Sequence, residues 1–366
     1  MFLKYRNHRW LALTIGGVVQ SLALFGAEPF QYHADSIQIP PADLHEPIRE
    51  RWSLAAGLTH LDQGAEAWTK AKGCISCHTN GSYLMIRPSL TSQAGRPPEL
   101  IRTFFLEELD SFEEMPIASL RQGIQPTQLA YLAAGLASWD RHIKTHLTEE
   151  TERALRLMFR AQSEDGSFGN DDCWPPLESS SYHSATVAAI AAASAPGWLE
   201  KNRHSAEFEP AIEKLEYYLK HTRPPHAYAR VLLWWADHYW PGLAKAEFHE
   251  GTATLVRHLQ REDGGWSLRS FANPDSWGNG SRAEKLRSES TFETPSSDGH
   301  MTGLICMVQR LRGTPSTDPT LNRGLIWLKK NQRVSGRWWT RSLNTDRYHF
   351  ITYSSTCYAL AALTFQ

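Results

Sequence analysis

The chain has 366 residues, 41% hydrophobic and 21% charged, with 38 Lys and Arg against 39 Asp and Glu. That length fills one large or two ordinary globular domains with sizeable cores. The even charge balance and the lack of a basic run exclude nucleic acid as an expected partner. Tryptophan is abundant, with 14 copies, several of them beside Gly.

In chain order, residues 1–27 read as an export signal. Lys4, Arg6 and Arg9 precede an apolar run, Trp10 to Phe25, of about the length of a signal h-region. Gly26 and Ala27 are small residues where cleavage would fall, although Leu24 or Phe25 stands at the third position back. An uncleaved anchor is the alternative. The run carries Gly16, Gly17 and Gln20 and is shorter than the usual ~20-residue span. No later segment could span a membrane, so the chain is expected to be periplasmic or secreted, with no span once the signal is removed. Glu28 to Pro41 is polar and Pro-containing and reads as an extended arm, which we bound at residues 28–43.

From Leu44 onward the pattern is helical almost throughout. Ile48 to Lys70 carries Trp52, Leu54, Leu58, Leu61 and Trp68 at helical spacing. Leu100–Leu109 and the Ala/Leu-rich Gln128–Ser138 follow. Thr148–Ala161 has Thr148 as its N-cap, with Glu149, Glu150 and Glu152 in the first turn. No run of alternating strands is visible, and the fold class is all-α.

Between the first two helices lies Gly73-Cys74-Ile75-Ser76-Cys77-His78-Thr79. Two cysteines two residues apart, with a histidine directly after, form the attachment signature of a c-type haem. Each thiol adds to one vinyl group, and the adjacent imidazole is pinned onto the iron. One covalent haem c is therefore expected, held by Cys74, Cys77 and His78. Because haem c is attached outside the cytoplasm, the export signal and the motif support each other. A Cys-x-x-Cys disulfide or another metal is the competing reading. Closed zinc sites need a second ligand pair, which is not found. Of the remaining cysteines, Cys306 and Cys357 fall in apolar helical patterns and read as small buried hydrophobes. Cys173 follows Asp171-Asp172 in a loop.

A repeat occupies the rest of the chain. Its copies are Gln162-Ser-Glu-Asp-Gly166-Ser-Phe168, Gln260-Arg-Glu-Asp-Gly264-Gly-Trp266 and Gln332-Arg-Val-Ser-Gly336-Arg-Trp338. Each follows an amphipathic helix (Thr151–Arg160, Thr252–Leu259, Leu321–Asn331). Each precedes a helix rich in small residues (Ser184–Ala193, Met301–Leu311, Ser354–Leu363). Gly166 to Thr186 and Gly336 to Thr356 are each 20 residues, whereas Gly264 to Thr302 is 38. The second copy therefore carries an insertion around Asn273–Ser297. The physical reading is a helical pair per repeat, with Gln at the end of the first helix, Gly at the tight turn and an aromatic packed over it. The Asp and Glu residues of these turns read as solvated, and the Trp residues as packing elements.

These copies resemble the Q-x-x-x-G-x-W repeats of the squalene cyclase and protein prenyltransferase superfamily, over about Gln128 to Gln366. The resemblance implies an α/α toroid, inner and outer rings of helices around a central cavity, assigned here to residues 141–366. Ala211–Lys220 and Ala227–Tyr239 would form a further pair with a degenerate turn. The acidic D-x-D-D-T-A cluster of squalene-hopene cyclases has no counterpart at the matching helix starts. Asp298-Gly299-His300 looks like a variant of the Asp-x-Cys zinc pair of prenyltransferases. Asp298 and His300, with His183 and Tyr353, are where the resemblance would put catalytic groups and a small apolar ligand. The competing reading makes Asp298 a helix cap and His300 a hydrogen-bonded wall residue.

Residues 44–140 also resemble small c-type cytochromes, most closely over Ala65 to Trp139. The haem motif is followed by Arg87-Pro88-Ser89-Leu90, a helix, and Glu114-Met115-Pro116. That resemblance implies Met115 as the sixth iron ligand beside His78, with a raised potential. If the segment is instead merged into the toroid, Met85 is the nearer ligand candidate, or the sixth position is open or held by a His. Two functions are therefore expected to compete. One is an exported haem protein with an electron-transfer or redox role and an unidentified redox partner. The other is an enzyme acting in the toroid cavity on an isoprenoid-like or other small substrate.

Overall fold

The computed structural model describes residues 30–169, 174–177 and 180–365. The signal expected at 1–27, the first two residues of the arm and Cys173 lie outside the described residues. Among the described residues the chain is predominantly helical, with one two-stranded sheet. No described helix is long and apolar enough to cross a membrane.

The arm folds back on itself. β1 (Tyr32–Ala34) pairs antiparallel with β2 (Ile37–Ile39), Tyr32 opposite Ile39, and Asp35 takes a positive φ of 51° at the turn. Three-residue strands are too short to leave a periodic signal. Tyr32 and Ile39 bury themselves on Trp68.

The first helix, α1 (Leu54–Lys72), begins six residues later than Ile48. Two interactions explain the difference. Ile48 bridges to Arg333, and the Ser53 side chain accepts from the Ala56 N–H as N-cap. Then come α2 (Asn80–Ile86), α3 (Thr91–Ala94), α4 (Leu100–Glu113), α5 (Ile117–Leu120), α6 (Gln125–Trp139), α7 (Glu149–Arg160), α8 (Ser181–Ser194) and α9 (Trp198–Asn202). The C-terminal part holds α10 (Glu209–His221), α11 (Ala227–Tyr239), α12 (Ala246–Leu259), α13 (Ala283–Ser288), α14 (Gly299–Leu311), α15 (Pro319–Lys330) and α16 (Ile351–Thr364). Thr148 caps α7 as its sequence suggests, its hydroxyl accepting from the Thr151 N–H.

The small-residue helices α6, α8, α14 and α16 are buried on almost every side, which only helices surrounded by other helices tolerate. Their contacts run in a definite order. α2 packs on α6, α6 on α8, α8 on α11, α11 on α14, α14 on α16, and α16 on α2. Amphipathic α7, α10, α12 and α15 pack outside α6, α8, α11 and α14 respectively, each burying one face. One contiguous core runs from Leu61 to Ala362.

The repeat turns join successive outer helices. Gln162 Nε2 donates to its own Gly166 carbonyl and to Ala211 O of α10, both at 3.1 Å. Gln260 donates to Gly264 O at 2.9 Å and to Thr320 O of α15 at 2.8 Å. Gln332 donates to Gly336 O at 2.8 Å and to Ser53 O at 2.9 Å, and its Oε1 accepts from the Ser53 N–H at 2.6 Å. The last turn is thereby tied to the start of α1. Gly336 has φ 94°, and a Cβ there would lie 2.1 Å from Ala56 O, so only glycine allows this approach. Trp266 and Trp338 donate to Val256 O and Leu328 O at the ends of α12 and α15. Further along, Arg337 meets Glu46 at 2.7 Å and donates to the Pro40 and Pro41 carbonyls, which fastens the arm to the last repeat.

Candidate functional site

The Cys74–His78 loop is held by its neighbours through its backbone. α1 ends at Gly73, whose φ of 55° turns the chain away. Buried Asn80 accepts from the Ser76 N–H at 2.8 Å and donates to Cys74 O at 3.0 Å and to Thr69 Oγ1 at 3.2 Å. Gln128 donates to Ile75 O at 2.9 Å, and Ser82 to Cys77 O at 2.5 Å. A Cβ on Gly81 would lie 2.6 Å from Ser76 O, so the loop closes tightly onto α2. The Gly81 N–H donates to Ser76 O at 2.9 Å, so each carbonyl from Cys74 to Cys77 has a partner, which fixes the spacing of the two thiols and the imidazole.

The His78 ring is stacked on Phe350, with centroids 5.1 Å apart and planes at 9°, and meets Trp68 edge-on at 4.7 Å. Its Nδ1 lies 2.7 Å from Thr79 Oγ1. When Nδ1–H donates to that hydroxyl, Nε2 keeps the lone pair that a metal needs. Burial lowers the His78 pKa to about 4, which keeps the ring neutral near pH 7.

Cys74, Cys77 and His78 together line a cavity of about 480 Å³, within the size range of small-molecule and cofactor pockets. Its wall is mainly apolar and aromatic. Trp68, Phe350, Ile351 and the Trp174–Leu177 segment line it, with Asn344, Thr345 and Tyr348 adding polar groups. The donor set and the size fit a covalently attached haem. The two cysteines and the histidine open into one apolar space, and the imidazole is neutral.

The other sequence-predicted residues do not join this cavity. Met115 sits in the turn after α4, half-buried against the main core, and is not among the described lining residues. Met85 is buried in α2 and faces Ala134 and Trp235 at a different, narrow void. Among the described lining residues His78 is the one imidazole, and none is a methionine. Arg87 is structural: its buried guanidinium bonds Asp62 of α1, which also accepts from Tyr83.

Asp298 and His300 lie elsewhere. Asp298 caps α14, with Oδ1 accepting from the Met301 N–H at 2.9 Å and Oδ2 from the Leu268 N–H at 2.5 Å. Burial raises its pKa against these hydrogen bonds. His300 is fully buried between the Tyr228 hydroxyl at 3.0 Å and Ser354 Oγ at 3.3 Å. His183 meets the Tyr131 hydroxyl at 3.1 Å and stacks toward Tyr228. Tyr353 donates to Leu61 O at 2.6 Å, joining α16 to α1. All four side chains are at 6% exposure or less, and Asp298 lines a separate cavity of about 310 Å³ with Arg269, Ser297 and Arg341. Among the described residues no group of three or more His, Cys, Asp or Glu is placed to hold a metal ion.

Sequence reading missed Asn80, Thr79 and Phe350. Asn80 and Thr79 follow the motif directly, and their polarity beside an apolar helix was the available signal. Phe350 comes from the far end of the chain, and no local pattern points to it. No family model matches the chain, and no curated protein matches it.

Proposed function

We propose that this is an exported, c-type haem protein with an electron-transfer or redox role, built on an α/α toroid of the squalene cyclase and prenyltransferase kind. The observation that carries the reading is the opening of Cys74, Cys77 and His78 into one apolar cavity of about 480 Å³. Cys74 and Cys77 would hold the haem through thioether bonds and His78 through its iron. Bound there, haem supplies a one-electron couple. The protein's part is to fix the loop through Asn80, Ser82 and Gln128, orient the imidazole between Phe350 and Trp68, and surround the ring with apolar groups.

The toroid part of the reading is supported by the cyclic contact order of α2, α6, α8, α11, α14 and α16 and by the Gln–Gly turns between outer helices. On this reading residues 44–140 belong to the same body as 141–366, since α2 and α6 stand in the inner cycle. Periplasmic or secreted localisation follows from the chemistry of haem c attachment. An enzyme working at Asp298 and His300 has less support. Both Asp298 oxygens are engaged by backbone N–H groups, and His300 is fixed between Tyr228 and Ser354.

The test is a pyridine haemochrome spectrum on protein made with the haem c maturation machinery, beside a Cys74→Ala/Cys77→Ala variant. A c-type spectrum with one haem per chain, abolished in the variant, is expected. Folded wild-type protein without haem would sink the reading.

A further inference from the structure

The insertion at Asn273–Ser297 lengthens one repeat, and its Arg282 touches residues that line the cavity without being a lining residue itself. Arg282, at the start of α13, donates from Nε to Asn344 Oδ1 at 2.8 Å. Its guanidinium carbon stands 4.9 Å from the centroid of the Trp174 ring. Asn344 in turn donates to Pro175 O at 2.7 Å. Asn344, Trp174 and Pro175 all line the cavity that holds Cys74, Cys77 and His78. Arg282 is therefore held against the Asn344–Trp174 part of that wall.

The neighbouring cations differ from it. Lys285 pairs with Glu289 at 2.9 Å, and Arg341 with Asp346 at 2.8 Å. Among the described residues Arg282 bonds only neutral oxygens, those of Asn344 and Ser281, and has no carboxylate partner. A half-buried guanidinium against an indole, with donors to spare, is suited to an incoming carboxylate. Trp174 is 57% exposed, so this wall is open to solvent and to a ligand's polar edge.

We infer that Arg282 is the counter-ion for a carboxylate of the cavity's occupant. Resting on the haem reading, that carboxylate is a propionate of the tetrapyrrole. The insertion thus serves to carry a cation to the cofactor's acidic edge.

The test compares haem-loaded wild type with Arg282→Ala and Arg282→Lys by spectroelectrochemical titration at low and high salt. A fixed cation favours the reduced haem, which carries one positive charge less. Arg282→Ala is expected to raise the oxidised-to-reduced ratio at fixed poise about tenfold, which is 59 mV downward for a one-electron couple. Arg282→Lys should recover part of that shift, and high salt should shrink the difference. If Arg282→Ala fails to load haem while Arg282→Lys loads it, the counter-ion role is likewise supported. Loaded Arg282→Ala with the wild-type potential at both salt concentrations overturns this inference alone. Wild-type protein without haem overturns the haem reading, and this inference with it.

Discussion

His183 of α8 and His300 of α14 are buried, each with one ring nitrogen on a tyrosine hydroxyl. Burial lowers both pKa values to about 3, against about 6.5 in an unfolded chain. The unfolded state therefore binds more protons than the folded state between those values. Stability is full above pH 6.5 and is lost as pH falls toward 3. Each histidine contributes up to about 1.4 kcal/mol per pH unit in that window. Urea unfolding at pH 7 and pH 5 should show the loss, and His300→Gln should flatten the slope while lowering stability at pH 7. An unchanged slope in the variant would contradict the assignment. The residue scale is also where the sequence was least legible. The Cys74–His78 spacing is a local pattern that the sequence displays, and the structure brings the three side chains to one cavity. Met115 lies outside that lining, because which space a Met-Pro after a helix faces is decided by tertiary position.

Most of the longer helices were legible to within a few residues, although α12 begins at Ala246 and not near Thr252, and the reason is local. Thr148 and Asp298 announce their helices through short polar caps, and α7 and α15 through one apolar face. α2 escaped because its seven residues are buried all round and show no period. The start of α1 was misplaced because Ile48 is taken up by Arg333 from across the molecule. The Gln turns make the joins between elements testable. Gln332→Ala removes three hydrogen bonds and Gln162→Ala two. At about 1 kcal/mol each, the losses should be roughly 3 and 2 kcal/mol by denaturant unfolding. Gly336→Ala should cost about 2–4 kcal/mol, because it forces a side chain into positive φ and against the backbone of α1. Gln162→Ala costing more than Gln332→Ala would contradict the view that the last turn secures the join to α1.

At the scale of the whole molecule, the question is whether residues 44–140 fold apart from 141–366. The sequence suggests a boundary, because a cytochrome-like stretch precedes the repeats. The packing argues against one. α6 lies before that boundary and packs against α8 beyond it, while α1 and α2 pack against α16 at the far end of the chain. Phe350 supplies the face on which His78 stacks, and Arg337 holds Glu46 and the prolines of the arm. A fragment of residues 30–140 would expose the buried faces of α2 and α6 and leave the His78 ring without its stacking partner. We therefore expect that fragment to be molten or insoluble when made alone, whereas the chain from residue 30 onward unfolds in one cooperative transition. Calorimetry decides the point through the ratio of van't Hoff to calorimetric enthalpy, near one for a single unit. A fragment that folds, binds haem and melts on its own would make the boundary real, and would turn the contacts of α16 with α1 and α2 into an interface between two domains.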